Sequence, residues 1–209
     1  MCFSASASFI ASGGLISLGG ASFVAAKKED KIIAAIPFMF GIQQAFEGVQ
    51  WLYLYNGTSS EIMGYAFLFF AFIIWPVYVP TFIFILDKKN RNILKKFIFL
   101  GVAVAFYSIG ISLTQKLSIQ EVGSCVNYGF DYSLGWFLAV LYLISVFGPF
   151  FASSFKTLKL FGVIFTVLAI ISWLFFTVNF VSVWCFFAAI ASSMFFVYIK
   201  YRNKTNETN

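Results

Sequence analysis

The chain has 209 residues, 61% of them hydrophobic and 11% charged, with a net charge of +6 and a mean hydropathy of +0.90. A soluble domain carries about 25% charged residues, so this chain has too little polar surface to cover itself in water, and a bilayer is its natural solvent. It contains no histidine, which removes the commonest proton shuttle and metal ligand, and its basic excess reads as membrane topology rather than nucleic-acid binding.

An apolar run of about 20 residues makes one helical span. The first run covers residues 3–26 and is uncharged. Lacking a basic leader and too long for a signal peptide, it is expected to be a retained span. Ser4, Ser8 and Ser12 recur in it every four residues, as do Gly13, Ser17 and Ala21. Small residues at that spacing let helix backbones approach closely. Central packing against several neighbours is the favoured reading, ahead of a serine-lined polar path.

The second span, 32–55, carries one charge, Glu47, and is followed by the sequon Asn56-Gly57-Thr58, which matters only in a eukaryotic secretory pathway. The third, 62–86, contains WPVYVP, in which Pro76 and Pro80 predict a bend. The fourth covers 97–115 and the fifth 132–155, with the loop GSCVNYGFDY between them. A forty-residue uncharged run from Leu160 to Ile199 is long enough for two short spans, broken near Thr177–Ser182, giving helices over 158–176 and 181–200. The polar tail 201–209 is expected to be disordered. Trp51, Trp136, Trp173 and Trp184 fall in one outer third of their spans, where Trp serves as an interface anchor. No fixed-period repeat is present. The expected architecture is all-α: a polytopic membrane protein with one seven-transmembrane-helix bundle over 1–200, built from helices alone because lipid leaves no other way to satisfy the backbone.

Lys and Arg orient such a bundle. Lys27, Lys28, Lys31, Lys88, Lys89, Arg91, Lys95, Lys96, Lys156, Lys159, Lys200, Arg202 and Lys204 share one side of a seven-span chain, and only Lys116 lies on the other. The expectation is an N-terminus outside, a C-terminus in the cytoplasm, and residence in the cell (plasma or inner) membrane.

The stretch FGIQQAFEGVQW, Phe40–Trp51, concentrates the polar groups. On a helix Gln43, Glu47, Gln50 and Trp51 share one face, with Gln44 at its edge. At 1.5 Å per residue from Ile32, Glu47 lies about 22 Å into a core roughly 30 Å thick. A carboxyl there normally faces the bundle interior, is paired, and marks a pathway or ligand site. No Lys or Arg is intramembrane, so Glu47 is either protonated and hydrogen-bonded, or ionised and paired with a bound cation or cationic ligand. A polar knot joining helices is the plainer alternative, since interhelical hydrogen bonds average about 0.6 kcal/mol. Five polar or amphipathic residues on one stripe exceed what a knot needs, which favours binding. That reading calls for a polar cavity beside Glu47.

Three cysteines, Cys2, Cys125 and Cys185, map to the same outer side. In an oxidising compartment Cys2 and Cys125 could form a disulfide that clamps the loop over the bundle mouth. Their spacing matches no metal motif. Removal of Met1 would leave Cys2 with a free amine beside its thiol.

MCFSASASF and FGIQQAFEGVQW together resemble an uncharacterised family of bacterial multi-pass membrane proteins with an MCFSA start and an FG-x-QQ-x-x-EG-x-x-W motif, and WPVYVP is similar to a segment found there. The resemblance covers roughly the first eighty residues. It implies a bacterial membrane protein, brings no activity, and matches Cys2, Gln43, Gln44, Glu47 and Trp51. Retinal proteins are excluded because they need a Schiff-base lysine inside the last helix, ceramidase-type amidohydrolases because they need histidines. The odd span count shows no paired inverted halves.

The leading expectation is a protein binding a small ligand or ion in an outward-facing site made by Glu47, Gln43, Gln44, Gln50, Trp51 and Cys2, as a sensor, carrier or transport accessory. The alternatives are a membrane-embedded enzyme with Glu47 as acid/base and Cys2 as nucleophile, and a structural or assembly subunit. Beyond the bilayer and a small molecule or cation no partner is indicated, and nothing points to nucleic acid, haem, flavin, nucleotide or metal.

Overall fold

The computed structural model describes residues 4–129 and 135–207, with side chains as far as Tyr201. Seven helices among them are long and apolar enough to cross a membrane: Ala5–Ala25, Lys28–Tyr55, Glu61–Leu86, Arg91–Thr114, Gly135–Ala152, Lys156–Phe175 and Thr177–Tyr201. They form a multi-pass bundle. In detail the chain runs α1 (Ala5–Ala25), α2 (Lys31–Tyr55), α3 (Glu61–Leu68), α4 (Trp75–Leu86), α5 (Arg91–Thr114), β1 (Ser118–Val122), β2 (Cys125–Gly129), α6 (Gly135–Ala152), α7 (Lys156–Phe175), α8 (Phe180–Ala191) and α9 (Met194–Glu207). The fourth span starts at Arg91, well before its apolar run, so that Lys95 and Lys96 stand exposed on a helix. The last helix continues through the start of the tail expected to be disordered, as far as Glu207.

α2 is the hub, with 56% of its apolar window buried, and it touches α1, α3, α8 and α9. α1 was expected at the centre. It does touch several neighbours, α2 above all and α8 and α9 to a lesser extent, but most of it is not buried, and it packs from the edge through Ala5, Ser8, Ser12, Leu15, Gly19 and Ser22. A Cβ added at Gly41 would stand 2.7 Å from the Ile16 side chain, which is why this pair needs small residues.

The bend expected at WPVYVP takes a specific form. Phe69–Ile74 is π-helical and joins α3 to α4, with the Trp75 amide bonded back to Phe70. Pro76 then occupies the first turn of α4, where its missing N–H costs least. The widened turn presents the Pro76 carbonyl to α5, and a Cβ placed on Gly101 would lie 1.8 Å from that oxygen.

Two of the tryptophans expected as interface anchors, Trp136 and Trp173, are exposed. Trp51 and Trp184 are instead 1% and 4% exposed, inside the bundle. Much of the phenylalanine content packs edge to face in the half remote from the hairpin: Phe82 and Phe161 meet Phe195 with ring centroids 5.9 and 5.1 Å apart. That geometry suits the ring quadrupoles.

The connection between α5 and α6 departs from the helix-only expectation. Ser118–Val122 pairs antiparallel with Cys125–Gly129, Ile119 opposite Tyr128 and Val122 opposite Cys125. Gly123 and Ser124, at φ 58° and 61°, make the two-residue turn, and positive φ at both positions is what a tight hairpin demands. Asn127 donates to the Val178 carbonyl and Asn179 to the Val122 carbonyl, so each amide ties the hairpin to the α7–α8 corner. Ile119 and Leu117 press on α3 at Gly64. The hairpin thus bridges α3 and α8 across one end of the bundle.

At the opposite, lysine-rich end, the buried Asp87 carboxylate accepts hydrogen bonds from the Lys89 and Asn90 amides at 3.0 and 3.2 Å and from the Ser153 hydroxyl at 3.3 Å. The Ser154 amide donates to it at 2.5 Å. Burial alone would raise its pKa; the converging hydrogen bonds from Ser154, Asn90 and Lys89 outweigh that and hold it below the usual carboxylate value.

Candidate functional site

All five α2 residues of the polar stripe are buried: Gln43, Gln44 and Gln50 at 0% exposure, Glu47 and Trp51 at 1%. Helical spacing alone lines them up. What they meet divides them into two groups.

Gln43 and Gln50 brace the third span. The Gln43 amide oxygen accepts from the Trp75 indole at 2.8 Å, and its nitrogen donates to the Phe67 carbonyl at 3.4 Å. These partners lie just after and just before the π-helical turn, so one side chain spans it. Phe40 stacks on the same indole with centroids 3.9 Å apart. Gln50, with its amide oriented to suit its neighbours, donates to the Ser60 carbonyl at 2.8 Å and accepts from the Ser60 amide at 3.3 Å. Ser60 in turn caps α3 through the Met63 amide.

Glu47 and Gln44 form the second group. The Ser182 hydroxyl donates to one oxygen of Glu47, and the Gln44 amide nitrogen donates to the other at 3.3 Å. Both donors are neutral. Among the described residues, buried polar atoms of α1, α2 and β2 have no hydrogen-bond partner: the Ser8 hydroxyl, the Gln44 amide oxygen, the Trp51 indole nitrogen and the Tyr128 hydroxyl. Leaving such atoms unmatched costs about 1–3 kcal/mol each. Tyr128 reaches the cluster from β2, stacked on Phe67 at 4.8 Å with an interplanar angle of 11°. Burial, with Glu47 and Cys185 nearby, pushes its hydroxyl well above the ordinary tyrosine value, so it stays a neutral donor. Cys185 is buried on α8, one turn after Ser182.

Ser182, Trp75, Tyr128 and Cys185 were not among the site residues read from sequence. No local signal could pair Glu47 with Ser182 across 135 residues. Tyr128 had one indirect sign: Gly-Ser between SIQEV and CVNYG is a hairpin signal. Cys2 lies outside the described residues, and with it the proposed pairing to Cys125, which is buried in β2. Among the described residues no group of three or more His, Cys, Asp or Glu converges as a metal site would require.

Two apolar cavities adjoin the cluster. One, of about 120 Å³, lies between the π-helical turn, α6 and α8; the other, of about 40 Å³, lies deeper among aromatic rings. The polar cavity beside Glu47 that the binding reading calls for is not among these: both are apolar and Glu47 lines neither. Its carboxyl is enclosed by packed side chains, so a ligand there requires those side chains to part.

A family model described as a family of unknown function (DUF6629) matches residues 1–209. No curated protein matches the chain, and no solved structure does.

Proposed function

The chain belongs to DUF6629, a family of unknown function, and we propose from its site that it is a small-ligand-binding protein of a bacterial cell membrane, taking a cation or cationic group at Glu47. One observation carries this reading. Among the described residues a fully buried carboxylate is met only by neutral donors, while the Gln44 amide oxygen and the Tyr128 hydroxyl have no hydrogen-bond partner. A carboxylate removed from water needs a compensating positive charge or a proton. The basic residues of the span that carries it, Lys28 and Lys31, stand at its far end. The Glu47 and Gln44 oxygens offer a cation an oxygen-rich shell. Gln43 and Gln50 serve this centre by fixing α2 against the third span, and Trp51 by packing beside it.

The basic loops, Lys27 to Lys31, Lys88 to Lys96 and Lys156 to Lys159, lie at the end opposite the hairpin, which supports a cytoplasmic lysine-rich end and an outward hairpin. The site then lies in the outward half, lidded by the hairpin, in a single transmembrane domain over 1–200. Sensing, carriage or service to a transporter are the roles such a centre suits.

The test is thermal unfolding of the purified protein in lipid nanodiscs against sodium, potassium and small organic ammonium ions. A bound cation at a hundred times its Kd stabilises by about 2.7 kcal/mol, and Glu47→Gln should fold yet lose that response. If no cation stabilises the wild type, or Glu47→Gln responds as fully, the carboxyl is only a polar tie between α2 and α8.

A further inference from the structure

Resting on that reading of Glu47, we infer that the ligand comes from the bilayer: a single-chain amphiphile with a cationic amine head, entering sideways through the cleft between the π-helical turn, α6 and α8.

Among the described residues the hairpin covers the aqueous end. Val126 and Cys125 of the hairpin are 0% exposed. Tyr128 is stacked on Phe67, and Asn127 and Asn179 tie the hairpin to the α7–α8 corner. A molecule arriving from water would have to lift this lid. The side route is open at its mouth. At the mouth of the 120 Å³ cleft Ala139 is exposed, and Phe72, Leu143 and Val181 are half-buried on the lipid-facing surface. Its floor is Tyr142, Trp184 and Cys185, all buried. The same three residues line the deeper aromatic cavity, so the two spaces meet there. Behind the floor stands the polar centre: Ser182, one turn before Cys185 on α8, donates to Glu47, and Trp75, which lines the deeper cavity, donates to Gln43.

The lining decides the chemistry. The cleft is almost wholly apolar, so it offers a soluble polar molecule nothing to bond with, while it accepts a hydrocarbon chain as lipid does. Its size decides the number of chains. An apolar cavity of about 150 Å³ holds one benzene, so a cleft of about 120 Å³ takes one chain or ring and not the paired chains of a phospholipid. The unmatched oxygens and the carboxylate behind the floor favour a head that donates hydrogen bonds and carries positive charge.

The probes are dodecylamine, dodecanol, dodecanoate and butylamine, titrated into nanodiscs holding the full chain, with thermal unfolding and tryptophan quenching by chain-brominated dodecylamine as readouts. Burying two or three methylenes is worth about ten- to fifty-fold in affinity, so dodecylamine should bind at least that much more tightly than butylamine and more tightly than dodecanol or dodecanoate. Ala139→Trp fills the mouth from an exposed position that tolerates it, and should weaken dodecylamine about ten-fold or more while leaving butylamine unchanged. If butylamine or an inorganic cation binds as tightly as dodecylamine in a Glu47-dependent way, and Ala139→Trp alters nothing, the amphiphile is wrong while the cation centre stands. If dodecylamine binds equally to wild type and Glu47→Gln, both readings fall.

Discussion

Replacing Gly101 with alanine should destabilise the bundle, and the same replacement nine residues along the same helix should not. An ideal Cβ on Gly101 lies 1.8 Å from the Pro76 carbonyl oxygen and 2.6 Å from its carbon. Ordinary contact begins at about 3.4 Å, so α5 and α4 would have to part locally by roughly 1.5 Å, and the obstacle is backbone with no rotamer to give. Overpacking of this kind costs about 1–3 kcal/mol, against a gain of up to about 1 kcal/mol from helix propensity. At Gly110 a Cβ meets nothing within 4 Å, so Gly110→Ala keeps only the gain. Thermal unfolding of both variants in one lipid or detergent should place them on opposite sides of the wild type. Equal stability of the two would refute the close approach of α5 to α4 at Pro76.

Three further outcomes are expected. Asp87→Asn tests the lysine-rich end by pH. The hydrogen bonds to the Asp87 carboxyl hold it below the usual carboxylate value, so its contribution is full above the unfolded pKa and is lost as pH falls through the lower folded one. The wild type should lose stability on acidification in that range, and a variant showing the same acid slope would exclude Asp87 as its source. Ser124→Gly should stabilise the hairpin by up to about 1 kcal/mol and Ser124→Val should weaken it by about 1–2 kcal/mol, because the position is left-handed; hydrogen exchange of the strand amides reports this, and equal protection in both would be the contrary result. Gln43→Leu leaves the Trp75 indole unpartnered and should cost about 1–3 kcal/mol. A double-mutant cycle with Trp75→Phe should recover most of it, and strict additivity would show that the bond contributes nothing.

Much of the fold was legible because lipid simplifies the code. Apolar run length counts the spans, and the only charge in the second run marks Glu47 as the residue to explain. The polar stripe was legible because its members are neighbours on one helix face, a matter of spacing within α2 alone. Its division into a bracing pair and a carboxylate centre was not legible. Gln43 finds Trp75 only because a π-helical turn rotates that indole inward, and no apolar pattern encodes an extra residue in a turn. The hairpin was missed by applying the rule that only helices span lipid to a segment lying outside the spans. The buried Trp51 and Trp184 show the same limit: depth along a helix can be counted, but which side faces lipid depends on neighbours far away in the chain.

The widened turn at Phe69–Ile74 also gives the gene an unequal tolerance to changes of length at that point. An α-helix turns by about 100° per residue, and a π-helical turn takes in about one residue more than an α-helical one. Loss of one codon within Phe69–Ile74 therefore closes the segment into plain α-helix while Trp75, Pro76 and everything after them keep nearly their facing relative to α3. Gain of one codon has no such outlet and swings them by about a quarter turn. The indole then leaves Gln43, and the Pro76 carbonyl leaves Gly101. Homologous chains should therefore lose a single residue between the α3 cap at Ser60 and Trp75 more readily than they gain one, even where the side chains between them drift.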